Sequence, residues 1–252
     1  AYLYGGVPLV LEEVTAPKVD YVRATRKEVY TQCITDLVFA AANLPGITTV
    51  KDGELSTLAA QHLLSEVYIA DGQYQKAVDA ATVVIDDPNT DLMTARFGTR
   101  RTETPGDVYW DLFRRGNQNR KGAGSNREAI LVVQIETDVP GGAGSTSIGF
   151  PSGDLYSLER VHPPLVRDVV LPTGTGTRAA YNWPAADYSS GGRGVGFMAP
   201  SHYFVFNAYQ AQGTGAIPDS VNDIRNANHN FARKFKVTQV GNPLYPVGTE
   251  ID

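Results

Sequence analysis

The feature that most constrains this chain is a run of helical periodicity from residue 25 to residue 87, broken at Pro45 and Gly72 and stopped before Pro88. Thr25 followed by Glu28 has capping-box spacing, which satisfies two amide donors that a helix start leaves without partners. Val29, Tyr30, Cys33, Ile34, Leu37, Val38 and Ala41 then recur at three- and four-residue spacing, forming the apolar stripe of one helix. Leu44-Pro45-Gly46 stops it. A second helix is expected from Ser56 or Thr57 through Leu63, Leu64, Val67 and Tyr68, with Gly72 as its C′ glycine. A third follows at once, with Tyr74, Ala77, Val78, Ala81, Val84 and Ile85 on one face. Small side chains at Ala77 and Ala81 let the partner helix approach closely.

One helical hairpin cannot bury both of its faces, so further helices must pack on it. The order Leu64, Tyr68, Gly72, Tyr74, Ala77, Ala81, Val84 resembles a tetratricopeptide unit, in which large residues fit against small ones. After residue 90 the character changes. Ala129 to Ile135, apolar apart from Gln134, reads as a buried strand. Residues 137–153 and 172–200 are rich in Gly, Pro and Ser and read as loops. Loops of this length in a compact protein are functional or disordered, and the aromatic residues within them argue against disorder. A helical period returns over Tyr203 to Tyr209, and Phe231 to Val237 is strand-like.

Bulk properties exclude several classes. With 252 residues the chain can bury a sizeable core. The formal charge of −5 gives no phosphate-seeking surface, so nucleic acid is not an expected partner. The apolar run at 129–135 is too short to cross a bilayer. A single cysteine, Cys33, excludes an internal disulfide and a cysteine cluster for zinc; it reads as a small buried hydrophobe. The abrupt start at Ala1 and the open end at Asp252 read as those of a piece of a longer protein.

Taken in order, several blocks resemble the SusD/RagB family of lipoproteins. They are Tyr4-Gly5-Gly6-Val7-Pro8-Leu9, then Arg23-Ala24-Thr25-Arg26-Lys27-Glu28-Val29-Tyr30, then Asp36-Leu37 with Leu44-Pro45. Ala59-Ala60, Leu63-Leu64-Ser65-Glu66-Val67-Tyr68 and Tyr74-Gln75-Lys76-Ala77 are similar to that family's helical hairpin. Tyr109, Phe113 and Asn126-Arg127-Glu128-Ala129-Ile130-Leu131 match its next block, and Gly194 to Pro200 with Asp223-Ile224-Arg225 a later one, more loosely.

The resemblance implies a mainly α, SusD-like fold: tetratricopeptide-like hairpins packed against an irregular, loop-rich region with a few short strands. It divides the partial domain 1–252 into helices at 25–90 and a ligand-facing region at 91–252. It implies a protein lipid-anchored at the cell surface, outside the outer membrane, that captures oligosaccharide for a SusC-like TonB-dependent transporter. The lipidated segment and the family's C-terminal helices do not occur within these residues. Two alternatives stay open: a peptide-binding lid of a similar importer, and an intracellular helical-repeat scaffold.

The residues themselves offer little catalytic chemistry. Ser145 and Ser147 lack nucleophile-elbow spacing. The glycines at 192, 194 and 196 do not follow a strand and open a helix, as a dinucleotide loop requires. His62, His162, His202 and His229 are scattered without a metal-ligand pair. No paired carboxylates stand out for glycoside hydrolysis. The expectation is a binding protein that is not an enzyme and carries no cofactor or metal.

Sugar binding asks for less: flat aromatic faces for the C–H side of a pyranose, and amides for its hydroxyls. Tyr181-Asn182-Trp183-Pro184 and Tyr188 supply these among Gly, Pro and Ser, where loops expose side chains. Trp183 and Tyr181 are expected to stack on ligand and Asn182 to hydrogen-bond to it, against the alternative that Trp183 pins the loop to the core. Trp110, between Tyr109 and Phe113, is a further candidate or a packing residue; Tyr203, Phe204, Phe206 and Tyr209 read as core. Arg96, Arg100, Arg101, Arg114, Arg115, Arg120 and Lys121 form a basic cluster, either a solvated face or a contact for the transporter or an acidic ligand.

Overall fold

The computed structural model describes residues 1–114, 116–122, 125–134, 169–181, 198, 201, 203, 223–227, 229–230 and 235–251. Among them the chain is mainly helical, with a few short strands and long irregular stretches. It forms two compact units, Ala1–Gln134 and Ile135–Asp252. Residues 91–134, which the sequence reading placed with the loop-rich region, therefore belong to the unit that holds the helices.

In the first unit, α1 (Arg26–Asn43) opens on the expected capping box: Glu28 N–H donates to Thr25 Oγ1 at 3.2 Å, and Thr25 N–H donates to Glu28 Oε2 at 2.7 Å. It stops at Leu44, which is extended because the following Pro45 disfavours the helical region. The second helix, α2 (Thr57–Ala70), is capped by the buried Ser56, whose hydroxyl accepts from Ala59 N–H. At its other end Gly72, at φ +78°, lets its own N–H reach Ile69 O while Gln73 N–H reaches Tyr68 O. Those two bonds are a Schellman ending. The turn leads directly into α3 (Tyr74–Ile85), and a Lys27–Asp71 ion pair at 2.6 Å ties the first turn of α1 to it.

α2 packs against both α1 and α3. Leu64, Tyr68, Ala77 and Ala80 form one core cluster, flanked by Ile34 and Leu37 of α1; Ile47, Leu58 and Val84 form another, flanked by Ile130. The packed face of α3 is rotated from the expected one. Ala77, Ala80 and Val84 are buried, Ala81 is half-buried, and Tyr74, Val78 and Ile85 point to solvent. Cys33 is half-buried and free.

Residues 86–134 are irregular apart from the short helix α4 (Val108–Leu112), whose N-cap Asp107 accepts from Trp110 N–H at 2.8 Å. Side chains fasten this segment to the helices. Arg120 donates to the carbonyls of Asn89, Arg127 and Ala129, and its own N–H meets Asp52. Lys121 Nζ donates to Val50 O. The buried strand expected over 129–135 is not formed by its described part, 129–134: these residues pair with no strand among the described residues, and Val133 is largely exposed.

In the second unit, Val170–Pro172 (β1) and Thr177–Ala179 (β2) form an antiparallel hairpin with Pro172 opposite Thr177, turning at Gly174 with φ +90°. By composition most of this stretch reads as loop. Phe235–Lys236 (β3) and Glu250–Ile251 (β4) form a second antiparallel pair, in line with the strand-like character of 231–237. The helix expected over 203–209 lies outside the described residues except at Tyr203, which is exposed.

Candidate functional site

α4 and its flanking loops carry a dense polar node. Asp111 is fully buried and accepts from Arg96 Nε at 2.6 Å, from a second Arg96 nitrogen at 3.0 Å and from Phe97 N–H at 3.0 Å. The hydrogen bond to Asp111 raises the Arg96 pKa above the ordinary guanidinium value. Arg96 also donates to the carbonyls of Arg100, Glu103 and Gly106. Asn117, also fully buried, closes the node: its Nδ2 donates to Phe97 O and Asp111 O, and its Oδ1 accepts from Thr99 N–H.

Trp110 sits half-buried at this node under three guanidinium groups. Arg114 lies 4.0 Å from the ring centre, Arg100 at 5.2 Å and Arg96 at 5.7 Å. Burial lowers the Arg114 pKa, and the neighbouring Arg100 charge adds to the effect. The basic cluster is thus largely consumed within the fold. Arg96 pairs with Asp111, Arg100 with Glu103, and Arg120 and Lys121 cap carbonyls. Arg115 lies outside the described residues.

Beside the node is a groove of 710 Å³, a volume in the range of ligand sites. Its walls are apolar: Leu37 of α1 and Leu44 just after it, Leu63 of α2, Leu112 of α4 with Phe113 just after it, and Leu131. Phe113, assigned to packing by the resemblance, meets Tyr109 edge-to-face at 5.0 Å and keeps 66% of its surface exposed. His62, Asn126 and Glu128 bring polar atoms to the groove. Asn126 is buried, and its Oδ1 accepts from Glu128 N–H at 3.0 Å; Glu128 Oε1 accepts from Met93 N–H at 2.7 Å. Periodicity could not have found this site, because its walls come from four separate stretches of chain.

Of the residues singled out for sugar binding, Asn182, Trp183 and Tyr188 lie outside the described residues. Tyr181 is buried. It packs with Ala180 against Val169, Leu171, Phe235 and Ile251, and desolvation raises its phenol pKa. A ring held this way does the work of a small hydrophobic core, and its face is not open for stacking. Trp110 belongs to the first unit, and its nearest ring partners are arginines.

Among the described residues no group of three His, Cys, Asp or Glu side chains could hold a metal ion, and no helix is long and apolar enough to cross a membrane.

No family model matches the chain, and no curated protein does. Among solved structures, it is similar to a SusD-like protein from Bacteroides fragilis, at 23% identity over 55% of this chain and 24% of that one, with a TM-score of 0.42. It is also similar to a SusD superfamily protein from Bacteroides vulgatus, at 21% identity over 40% of this chain and 22% of that one, with a TM-score of 0.34. These neighbours are SusD-like proteins, and the chain spans about a quarter of the length of each.

Proposed function

We propose that this chain is part of a SusD-like nutrient-binding protein. In this reading it is anchored at the cell surface and captures oligosaccharide, breaking no bond, before delivering it to a TonB-dependent transporter of the outer membrane. One observation carries the reading. Helices α2 and α3 pair through Gly72 at the position where the ordered series of family-like sequence blocks implies a helical hairpin. A platform of packed helices suits capture, because ordering cost is met before the ligand arrives.

With the Tyr181 ring buried, Trp183 and Tyr188 are the plates proposed to stack on a pyranose, and Asn182 its hydrogen-bonding partner. Titration calorimetry with a panel of oligosaccharides tests the assignment. The Trp183→Ala variant should bind at least about tenfold more weakly, roughly 1.4 kcal/mol, with an unchanged melting temperature. Unchanged affinity would remove Trp183 from the site. Binding of peptides with no binding of any glycan would change the cargo.

A further inference from the structure

We infer that Arg100 and Arg114, gathered on Trp110, bind the carboxylate of an acidic sugar, a uronate unit of an oligosaccharide. The class of ligand rests on the reading of this chain as a glycan-capturing protein; the anion site itself rests on the arginines alone.

Arg96 sets the contrast. Its nitrogens hold both oxygens of Asp111 and three backbone carbonyls, so its guanidinium is fully used by the fold. Arg114 is not. Only its Nε is engaged, donating to Trp110 O at 3.1 Å, and neither terminal nitrogen has an acceptor among the described residues. Arg100 gives its Nε to Glu103 at 2.6 Å and leaves both terminal nitrogens in the same condition. These two guanidiniums share one indole, at 4.0 and 5.2 Å from its centre.

Their charges are not balanced locally. Asp111 is taken by Arg96 and Glu103 by Arg100, and Arg114 forms no ion pair among the described residues. Arg114 is also half-buried, so its charge is screened less than that of an exposed arginine. A desolvated cation beside a like charge is costly until an anion joins it. An anion accepting from both arginines would offset the desolvation and the repulsion together.

The geometry of the donors selects the anion. A guanidinium is a planar fork that matches the two oxygens of a carboxylate. Contact with the indole restrains Arg114, so less ordering remains to be done when the ligand arrives. The Arg100 side chain keeps 47% of its surface exposed, which opens the pair to solvent. The formal charge of −5 on the whole chain disfavours a polyanion. One carboxylate among hydroxyls, as on a uronate, suits a small cationic site on an acidic protein.

The test uses the two tryptophans of the chain, Trp110 and Trp183. In a Trp183→Phe background, tryptophan emission reports on Trp110 alone. Titration with trigalacturonate should give saturable binding with a Kd below about 1 mM. Its fully methyl-esterified form, similar in shape and uncharged, should bind at least about tenfold more weakly. Arg114→Lys keeps the charge and loses the fork; it and Arg100→Gln should each weaken binding by a similar factor with nearly unchanged melting temperatures. No saturable binding by emission or calorimetry, equal binding of the ester, or indifference to both substitutions would overturn the inference. Equal binding of acetate or sulfate would also overturn it, since the sugar would then play no part. So would a large fall in the melting temperature of Arg114→Lys, which would show the guanidinium already paired within the fold. Neutral oligosaccharides titrated against the unsubstituted chain test capture separately, so failure at the arginines leaves that reading standing.

Discussion

Three donors converge on the carboxylate of Asp111, which has no surface exposed to solvent. A buried charge is tolerated when it is fully paired, and here the pairing also sets the path of the chain, since Arg96 gathers the carbonyls of residues 100, 103 and 106 around it. Asp111→Ala should lower the unfolding free energy in urea by about 3–5 kcal/mol, the scale for breaking a buried pair. Two further carboxylates carry an acid response. Hydrogen bonds from Lys27 and then Gln73 lower the Asp71 pKa, and those from Thr25 lower that of Glu28. A lowered carboxyl pKa contributes stability that is fully present above the ordinary range near 4 and is lost as pH falls through the lowered value. Lys27→Met should therefore unfold more readily than wild type at neutral pH, with the gap closing as the solution is acidified; a pH-independent gap would remove the ion pair from the account. These partners could not be read from the sequence. A run of basic residues looks like a charged patch because the carbonyls and the buried acid that absorb it lie up to 71 positions away, as Val50 does from Lys121. Tyr181 was misleading for a similar reason: its loop-like neighbours in sequence conceal a core built from residues 169, 171, 235 and 251.

Local chemistry made the helix ends legible. The Thr25–Glu28 box, the proline after Leu44 and the glycine at 72 each act within a few residues, and each ends or starts a helix where expected. Helix faces were less legible. On α3, Ala77, Ala80 and Val84 define the buried stripe, and several larger apolar residues counted in the sequence stripe stay in solvent. Spacing gives a direction around the helix to within about one residue, and the packing of α2 decides the rest. Ala80→Leu, on the buried face, should destabilise the unit by about 1–3 kcal/mol through overpacking, whereas Val78→Leu, on the exposed face, should leave the melting temperature nearly unchanged. An equal effect of the two would contradict the observed rotation. Strands were hardest to place. Residues 129–134 have a strand's composition and no strand partner among the described residues, while β1 and β2 pair across a glycine turn inside a stretch that reads as loop. Composition reports preference, and pairing depends on what lies alongside.

At the scale of the whole molecule, the chain comprises a helical unit, Ala1–Gln134, and a second unit, Ile135–Asp252. The helical unit contains the groove and the arginine-ringed tryptophan; the second carries the aromatic segment that begins at Tyr181. The position of the hairpin followed from periodicity and caps, and the mainly helical class from the resemblance to SusD/RagB proteins. The groove did not, because it is assembled from distant stretches, and the glycan plates were proposed from composition alone. The central claim is capture of an oligosaccharide without chemistry. It is tested most directly by incubating the chain with an oligosaccharide library, isolating the complex and weighing the released ligand by mass spectrometry. The account predicts a subset of glycans retained and recovered intact. An empty complex, or recovery of shortened glycans that accumulate with time, would contradict it.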